Sequence, residues 1–551
     1  MTSDTVDPAI PATQADEPDG TDGAARAGKA KGKTKTATPL PFLDQLWAAA
    51  DKLRGQLEEA EYKHIVLGLV FLKYVSDAFE RRRAAITAEV ADPDGDFYLK
   101  HESDRAEALE DRLAYTSKAV AWIPEDARWD KLKGHAKQAD IGVQIDRAME
   151  LIERENPSLR GVLPKTFARA EIKPRLLGEL VDLFTNVNMM AGDNSSEDLL
   201  GRVYEYFLNK FGTNEGGQYY TPQGVVRLLV EMLEPYKGRV FDPACGSGGM
   251  FVQSVKFLDE HGGRRGELSV FGQEAVASTW RLAKMNLAIR HIEADLGDGA
   301  ADSFHEDKHP DLRADFVIAN PPFNDSDWGG ELLRNDKRWA YGVPPENNAN
   351  YAWVQDFLWH LAPSGTAGFI LANGALSVQG VEGAIRRKLV DEDLVDCIVT
   401  LPTNLFFGTT IPVSLWFLSK NRRGDGSRDR TGEILFIDAR PLGHMATRAH
   451  RVLSQEDIER VATTYRAWKG SSPSGSYADE VDFSKSVSTD VVRQNRYVLT
   501  PGRYVRGEAE SGSSGDDVRV LAGALEELLD ESDRVTLAVR EMTARLQRAA
   551  D

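Results

Sequence analysis

The sequence predicts an α/β domain with a largely parallel sheet, preceded by an all-helical domain and followed by one long C-terminal helix. Three observations predict it. From Phe42 to about Lys210 apolar residues recur at helical spacing. Short β-rich runs then alternate with helical ones, the pattern of strands joined by crossover helices. Beyond the Gly- and Ser-rich stretch Gly507 to Asp517, the residues Val518, Leu521, Leu525, Leu528, Val535, Val539, Met542 and Leu546 recur in alternating steps of three and four.

Taken in order, residues 1–38 are rich in Ala, Asp, Gly, Pro and Thr and end in the basic run Lys29 to Lys35. Such a composition cannot bury enough apolar surface to fold, so it is expected to be a disordered tail with solvated lysines. Residues 39–190 are expected to form the helical domain. Leu53 to Glu80 is a long amphipathic stretch within it, and Ile65 to Leu72 is apolar on nearly every side, hence a buried core helix. Residues 191–506 form the α/β domain. It opens on a helical stretch from Ser195 to Phe211, with Asn194, Ser195 and Ser196 placed to cap it and Glu197 and Asp198 in its first turn. Its candidate strands are Arg239–Asp242, Leu268–Gly272, Asp315–Asn320, Gly368–Ala372, Leu394–Thr400, Ser414–Ser419 and Ile434–Ile437. Residues 507–517 read as a flexible linker. The seam at 518–551, broken only by Ser532, fits a coiled coil or a helix packed on its own domain, and the preceding linker and narrow stripe favour a coiled-coil partner helix.

A chain of 551 residues calls for two or more domains. With 42% hydrophobic and 28% charged residues it is of globular composition rather than disordered or fibrous. Its start is acidic and polar, unlike a secretory signal, and no apolar run reaches bilayer length, so a cytoplasmic protein with no membrane partner is expected. Only Cys245 and Cys397 are present, which excludes a disulfide framework or a four-cysteine zinc site, and no metal is expected. The formal net charge of −19 opposes tight nonspecific binding to a polyanion. Any grip on nucleic acid then comes from local basic surface or from another subunit.

The chemistry concentrates at strand ends, where sheets of this kind bind ligands. Phe241-Asp-Pro-Ala-Cys-Gly-Ser-Gly-Gly-Met250 closes one strand and opens a helix. Gly246, Gly248 and Gly249 permit a tight turn and close approach of a ligand, and the helix start favours a carboxylate. The run matches neither the Walker pattern nor the dinucleotide GxGxxG. Glu274 ends the next strand, where an acid accepts from a ribose diol. Asp302 is a candidate acceptor for an adenine amine, a role for which Asp298 and plain loop solvation compete. Asn320-Pro-Pro-Phe323 then follows a strand. Two prolines cannot continue a sheet, so the chain leaves it with bare carbonyls. The Asn320 side-chain oxygen and the Pro321 carbonyl can both accept from one NH2 group, while Phe323 offers a face for a planar base. An amine so held keeps its lone pair turned to an electrophile, and positioning replaces a strong base.

Asp242-Pro-Ala-Cys-Gly-Ser-Gly-Gly249 and Asn320-Pro-Pro-Phe323 resemble motifs I and IV of amino-directed DNA methyltransferases. Gly217-Gln-Tyr-Tyr-Thr-Pro-Gln223 resembles motif X, with Thr221 expected to cap a helix that begins at Pro222. The order X, I, IV is that of the gamma class of adenine-N6 enzymes. The chain is similar over nearly its whole length to the modification subunit of type I restriction-modification systems. Leu46-Trp47, Phe71–Asp77, Asn350–Gln355, Ala367–Gly374, Leu401–Pro412 and Leu499–Val505 carry that likeness. It implies a Rossmann-like sheet that binds S-adenosylmethionine through Tyr220, Thr221, Asp242, Gly246, Ser247, Gly248, Glu274 and Asp302. It implies catalysis by Asn320, Pro321, Pro322 and Phe323 on an adenine flipped out of double-stranded DNA. It also implies the partners: a DNA-specificity subunit, a second copy of this chain and a restriction subunit that translocates and cuts. By the same analogy Phe406 or Phe407 forms the second wall of the base pocket, against the plainer reading of a core aromatic. Two other functions fit the motifs, methylation of a protein glutamine amide and a non-catalytic cofactor-binding scaffold of a defence complex.

Overall fold

The structure is a computed structural model that describes residues 47–48, 51, 59–118, 120–186, 206–207, 221–406, 411–424, 428–448, 450–471 and 476–506. The expected tail at 1–38, most of the stretch from Ser195 to Phe211, the linker at 507–517 and the seam at 518–551 lie outside them.

The helical domain is organised by α1 (Glu59–Ala91). Ile65, Val66, Leu67, Leu69, Val70, Phe71 and Leu72 are each at most 2% exposed, so this helix is wrapped on all sides as its apolar run requires. It continues eleven residues past Glu80, the end of the expected stretch, to Ala91. Gly68 lets it approach the segment after α3: a Cβ there would stand 2.5 Å from Pro164. Against α1 pack α2 (Trp129–His135) and α4 (Pro174–Asn186), and α3 (Ile141–Glu155) packs on both of these. Phe79, Tyr115 and Trp122 form one aromatic cluster, with centroids 4.7 to 5.5 Å apart. The Tyr74 hydroxyl donates to the carbonyl of Ile289 (2.8 Å) and ties α1 to the α/β domain.

That domain holds a nine-stranded sheet among the described residues. Its strands are β1 (Gly238–Asp242), β2 (Leu268–Gly272), β3 (Ala294–Asp295), β4 (Ala314–Ala319), β5 (Leu361–Ala372), β6 (Val395–Thr400), β7 (Val413–Ser419), β8 (Glu433–Asp438) and β11 (Ser484–Ser488). The two-residue strands β9 (His444–Met445) and β10 (Arg451–Val452) pair apart from it. The order is β11-β8-β6-β7-β5-β4-β1-β2-β3. Neighbours from β3 to β5 are parallel, and β7 runs antiparallel between β5 and β6. Every residue of β6 and β7 is buried, as expected of strands covered on both faces. The sheet ends in a two-residue strand at β3 and a polar one at β11, which leaves little edge to pair with another chain. Strand β5 is longer than its expected core at Gly368–Ala372. It starts at Leu361, and the residues between Leu361 and Thr366 bulge out of register against β4 at Pro363-Ser-Gly365.

Helix α5 (Gln223–Leu233), which precedes β1, the crossover helices α6 (Gly249–Glu260), α7 (Ala277–Ile289), α8 (Asn350–His360) and α9 (Gly380–Asp391), and α10 (Gln455–Lys469) cover the sheet. Arg466 on α10 pairs with Glu231 (2.6 Å) and Glu234 (3.1 Å) beside α5. Under α10 lies a buried ionic knot. Asp396 on β6 stands 3.1 Å from both Arg422 and Arg430 and accepts from the Tyr465 hydroxyl (2.5 Å). Burial alone raises a carboxyl pKa, but these two guanidinium groups hold Asp396 below the usual carboxylate range. Asp396→Ala leaves two arginines buried beside no counter-charge. It is expected to cost about 3–5 kcal/mol, read at neutral pH as a lower urea midpoint; an unchanged midpoint contradicts the role given to Asp396.

Candidate active site

The turn after β1 is shaped by its glycines. Gly246 has φ +54 and Gly248, the N-cap of α6, has φ +79, conformations that strain any residue with a Cβ. Nothing stands within 4 Å of a Cβ built at Gly246 or Gly249, so this backbone opens onto free space rather than packing. The turn is held from beside it. Cys245 N–H donates to the carbonyl of Gln273 (2.9 Å), Asn286 Nδ2 to the carbonyl of Ser247 (2.7 Å), and Ser303 Oγ to the carbonyl of Pro243 (2.5 Å).

Two acids back this turn. Asp242, 1% exposed, accepts from Ala244 N–H (3.0 Å), and Glu274 accepts from the N–H groups of Gly246 (3.0 Å) and Val276 (2.8 Å). Burial, with Glu274 nearby, pushes the Asp242 pKa up to about 8, and burial also raises that of Glu274. No cation is among the groups acting on either acid.

At the end of β4, Asn320 Nδ2 donates to Thr221 Oγ1 (2.8 Å), while Asn320 Oδ1 is buried with no hydrogen-bond partner. Thr221 is therefore not the cap expected of it. Pro222 is the N-cap of α5, with φ −58 and ψ 136, and the Thr221 hydroxyl is spent on the Asn320 carboxamide. Pro321 is buried, Pro322 exposed, and Phe323 half-buried against the aromatic core. The next residue, Asn324, has φ +59. It is clasped by Asn350 at the start of α8, whose Oδ1 accepts from Asn324 N–H (2.8 Å) and whose Nδ2 donates to Asn324 Oδ1 (3.0 Å).

Strand order makes these pieces neighbours. Thr221, Asp242, Gly246, Ser247, Asn286 and Asn320 line one cleft, since β1 and β4 pair directly. Glu274 and Asp302 are not among its lining residues; they meet it from the β2 side, where Glu274 binds Gly246 and its carbonyl accepts from Ala301 N–H (2.9 Å). One oxygen of the exposed Asp302 accepts from Phe304 N–H (2.8 Å) and His305 N–H (3.3 Å). Its competitor Asp298 is an exposed partner of Lys308 (2.8 Å), which holds its pKa below the usual carboxylate range. Phe406 is 4% exposed, as a core aromatic is. Tyr220 and Phe407 lie outside the described residues. Asn286, Ser303 and Gln273 escape sequence reading because a polar residue inside a helix or loop carries no periodic signal; Asn350 appears there only within a family-like stretch.

The profile of the family described as N-6 DNA Methylase matches residues 195–513, and that described as HsdM N-terminal domain matches residues 43–184. The chain belongs to the N-6 DNA methylase family. It is 38% identical to the type I restriction enzyme MjaIX methylase subunit of Methanocaldococcus jannaschii, over 91% of this chain and 90% of that one. It is 43% identical to the HindI methylase subunit of Haemophilus influenzae, over 71% of this chain and 91% of that one. The fold is that of the type I restriction-modification methyltransferase subunit from Streptococcus thermophilus, with TM-score 0.69 and 23% identity over 84% of this chain and 99% of that one. This methylase is thus a type I modification subunit, and S-adenosylmethionine is its methyl donor. Of the two acceptors the motifs allowed, the family selects DNA adenine over a protein amide.

The cleft suits that cofactor, which carries positive charge, because open glycine backbone faces it and two acids behind it lack a cation. With its pKa near 8, Asp242 holds a proton at neutral pH, and a bound cation favours its ionised form. Affinity for S-adenosylmethionine is therefore expected to rise between pH 6 and pH 8.5 with proton release on binding. Calorimetry in buffers of different ionisation enthalpy reads this, and Asp242→Asn should flatten the dependence. A slope equal in parent and variant contradicts it.

Proposed function

We propose that Asn320 Oδ1 and the Pro321 carbonyl accept from the exocyclic amine of an adenine flipped out of double-stranded DNA, with Phe323 stacked on its ring. One observation carries the reading. The Asn320 oxygen is buried and unpartnered at a strand end, in the cleft that the Gly246 turn lines. A buried acceptor left without a donor is rare in folded proteins and points to a donor that arrives with the substrate. Thr221 takes the NH2 end of the same carboxamide and so leaves the oxygen for a donor.

Bound S-adenosylmethionine supplies a methyl group already activated by its sulfonium. Asn320 and Pro321 fix the amine so that its lone pair faces that methyl, and the surplus amine proton leaves to solvent after transfer. Flipping is required because the amine is out of reach inside the duplex. Tyr220, Thr221, Asp242, Gly246, Ser247, Gly248, Glu274 and Asp302 serve the cofactor, and Asn320, Pro321, Pro322 and Phe323 serve the base. The relatives are named as subunits of type I restriction enzymes. In keeping with that, the chain works with a DNA-specificity subunit, a second copy of itself and a translocating nuclease subunit. Base reading by the specificity partner accommodates a net charge of −19, unhelpful for gripping DNA alone. Among the described residues no helix is long and apolar enough to cross a membrane. The cytoplasm is the proposed place of action.

Asn320→Ala is expected to abolish labelled methyl transfer to duplex DNA, a loss of at least a thousandfold, while S-adenosylmethionine binding changes less than threefold. Parallel loss of both would contradict the role given to Asn320.

A further inference from the structure

Among the described residues only two side-chain carboxamides keep a buried oxygen without a hydrogen-bond partner, Asn320 and Asn373. They share a place in the fold. Asn320 follows β4 and Asn373 follows β5, and these strands are parallel neighbours. Ala319 pairs with Phe369, so Asn373 lies three residues further along than Asn320, roughly 10 Å at the rise of a strand. Both therefore sit at the carboxyl edge of the sheet, Asn320 in the lining of the cleft and Asn373 one strand further from the cofactor turn, outside that lining.

The backbone around Asn373 is firmly fixed. Its N–H donates to the carbonyl of Pro412 (2.9 Å), just before β7. Two residues on, the carbonyl of Ala375 accepts from the Tyr351 hydroxyl (2.8 Å) and from buried Arg386 (3.2 Å), and the carbonyl of Leu376 accepts from Leu499 N–H (2.9 Å). Asn373 shares with Asn320 a buried, unpaired oxygen just past a strand end, but its place is set by its backbone where that of Asn320 is set by Thr221. Roughly nine in ten buried polar groups find a partner within the folded protein.

We propose that Asn373 reads the ring of the same adenine whose amine Asn320 holds. The amine is the only polar donor of adenine, and Asn320 Oδ1 with the Pro321 carbonyl supplies two acceptors for it. What is left on the base edge is acceptors, the ring nitrogens N1 and N7 that flank the amine. A half-turn about the last side-chain bond exchanges the oxygen and nitrogen of a carboxamide, which puts the Asn373 NH2 where its unpaired oxygen stands. Asn373 then donates to one of these nitrogens. The position also lies between the β4 end, with Phe323, and the start of β7, which places it beside the base rather than beside the cofactor turn on β1.

This inference rests on the reading of Asn320, and the two fail differently. Methyl transfer is measured in the complex assembled with its partner subunits, on duplexes carrying adenine, 1-deazaadenine or 7-deazaadenine at the mapped target position. Asn373→Ala and Asn373→Asp, the latter of the same shape without a donor, should each raise the KM for DNA at least tenfold and leave cofactor affinity within twofold. The analogue that lacks the paired nitrogen should weaken the parent by a similar factor and the variants no further, because both changes remove one contact. A KM for DNA within twofold of the parent overturns the inference, as do losses from variant and analogue that multiply for both analogues. Should Asn373→Ala lose cofactor binding, the Asp variant alone decides between these outcomes. An active Asn320→Ala would instead remove the underlying reading, whatever Asn373 does.

Discussion

The site depends on which way one carboxamide points. Asn320 carries a donor at one end and an acceptor at the other, and only the acceptor can hold an amine with its lone pair free. Thr221, distant in sequence, decides the matter by accepting from the NH2 end at 2.8 Å. That bond needs Thr221, just before α5, to lie by the end of β4, and α5 is seated there by close packing on the sheet. A Cβ at Gly368 on β5 would stand 2.7 Å from Leu233 of α5. The orientation of a single side chain thus rests on how a helix sits on the central strands.

Charge is treated in two ways within the same domain. Away from the cleft, buried acids are matched: Asp396 with Arg422 and Arg430, Asp356 with Arg338 at 2.8 Å. At the cleft, Asp242 in its lining and Glu274 behind the Gly246 turn are buried with no cation acting on them, and their pKa values rise. Unmatched acids are costly to ionise, so the fold alone gives no reason to keep them there. In the proposed reading the positively charged methyl donor supplies the missing charge, at the turn whose glycines face open space.

The loop after Asn320 and the loop that carries Asp302 are both braced against α8. Asn350 fixes the left-handed Asn324 just after Phe323, and Arg338 links the Ser303 carbonyl (2.9 Å) to Asp356 on α8. Since α8 carries Asn350 and Asp356, one helix sets both the segment that follows Phe323 and the loop that carries Asp302. In the proposed reading these are the base side and the cofactor side, and a shared support suits a reaction that needs two reactants held at fixed distance.

The sequence by itself determined the class of the domain, seven of its strands and the two segments that carry the chemistry. Those features are local: a strand announces itself by β-rich composition, and a turn or a strand exit by glycines and prolines at consecutive positions. The polar strand β11 and the bulged start of β5 at Pro363 were illegible because neither shows an apolar run. Thr221 read as a helix cap, since a Thr-Pro pair satisfies the local rule for one, and only the meeting of residues far apart in the chain gave its hydroxyl to Asn320. The same holds for Asn286, Ser303, Asn350 and Asn373. A hydrogen bond between distant residues, or a buried oxygen that lacks one, is a property of the packed chain and leaves no mark in the order of its amino acids.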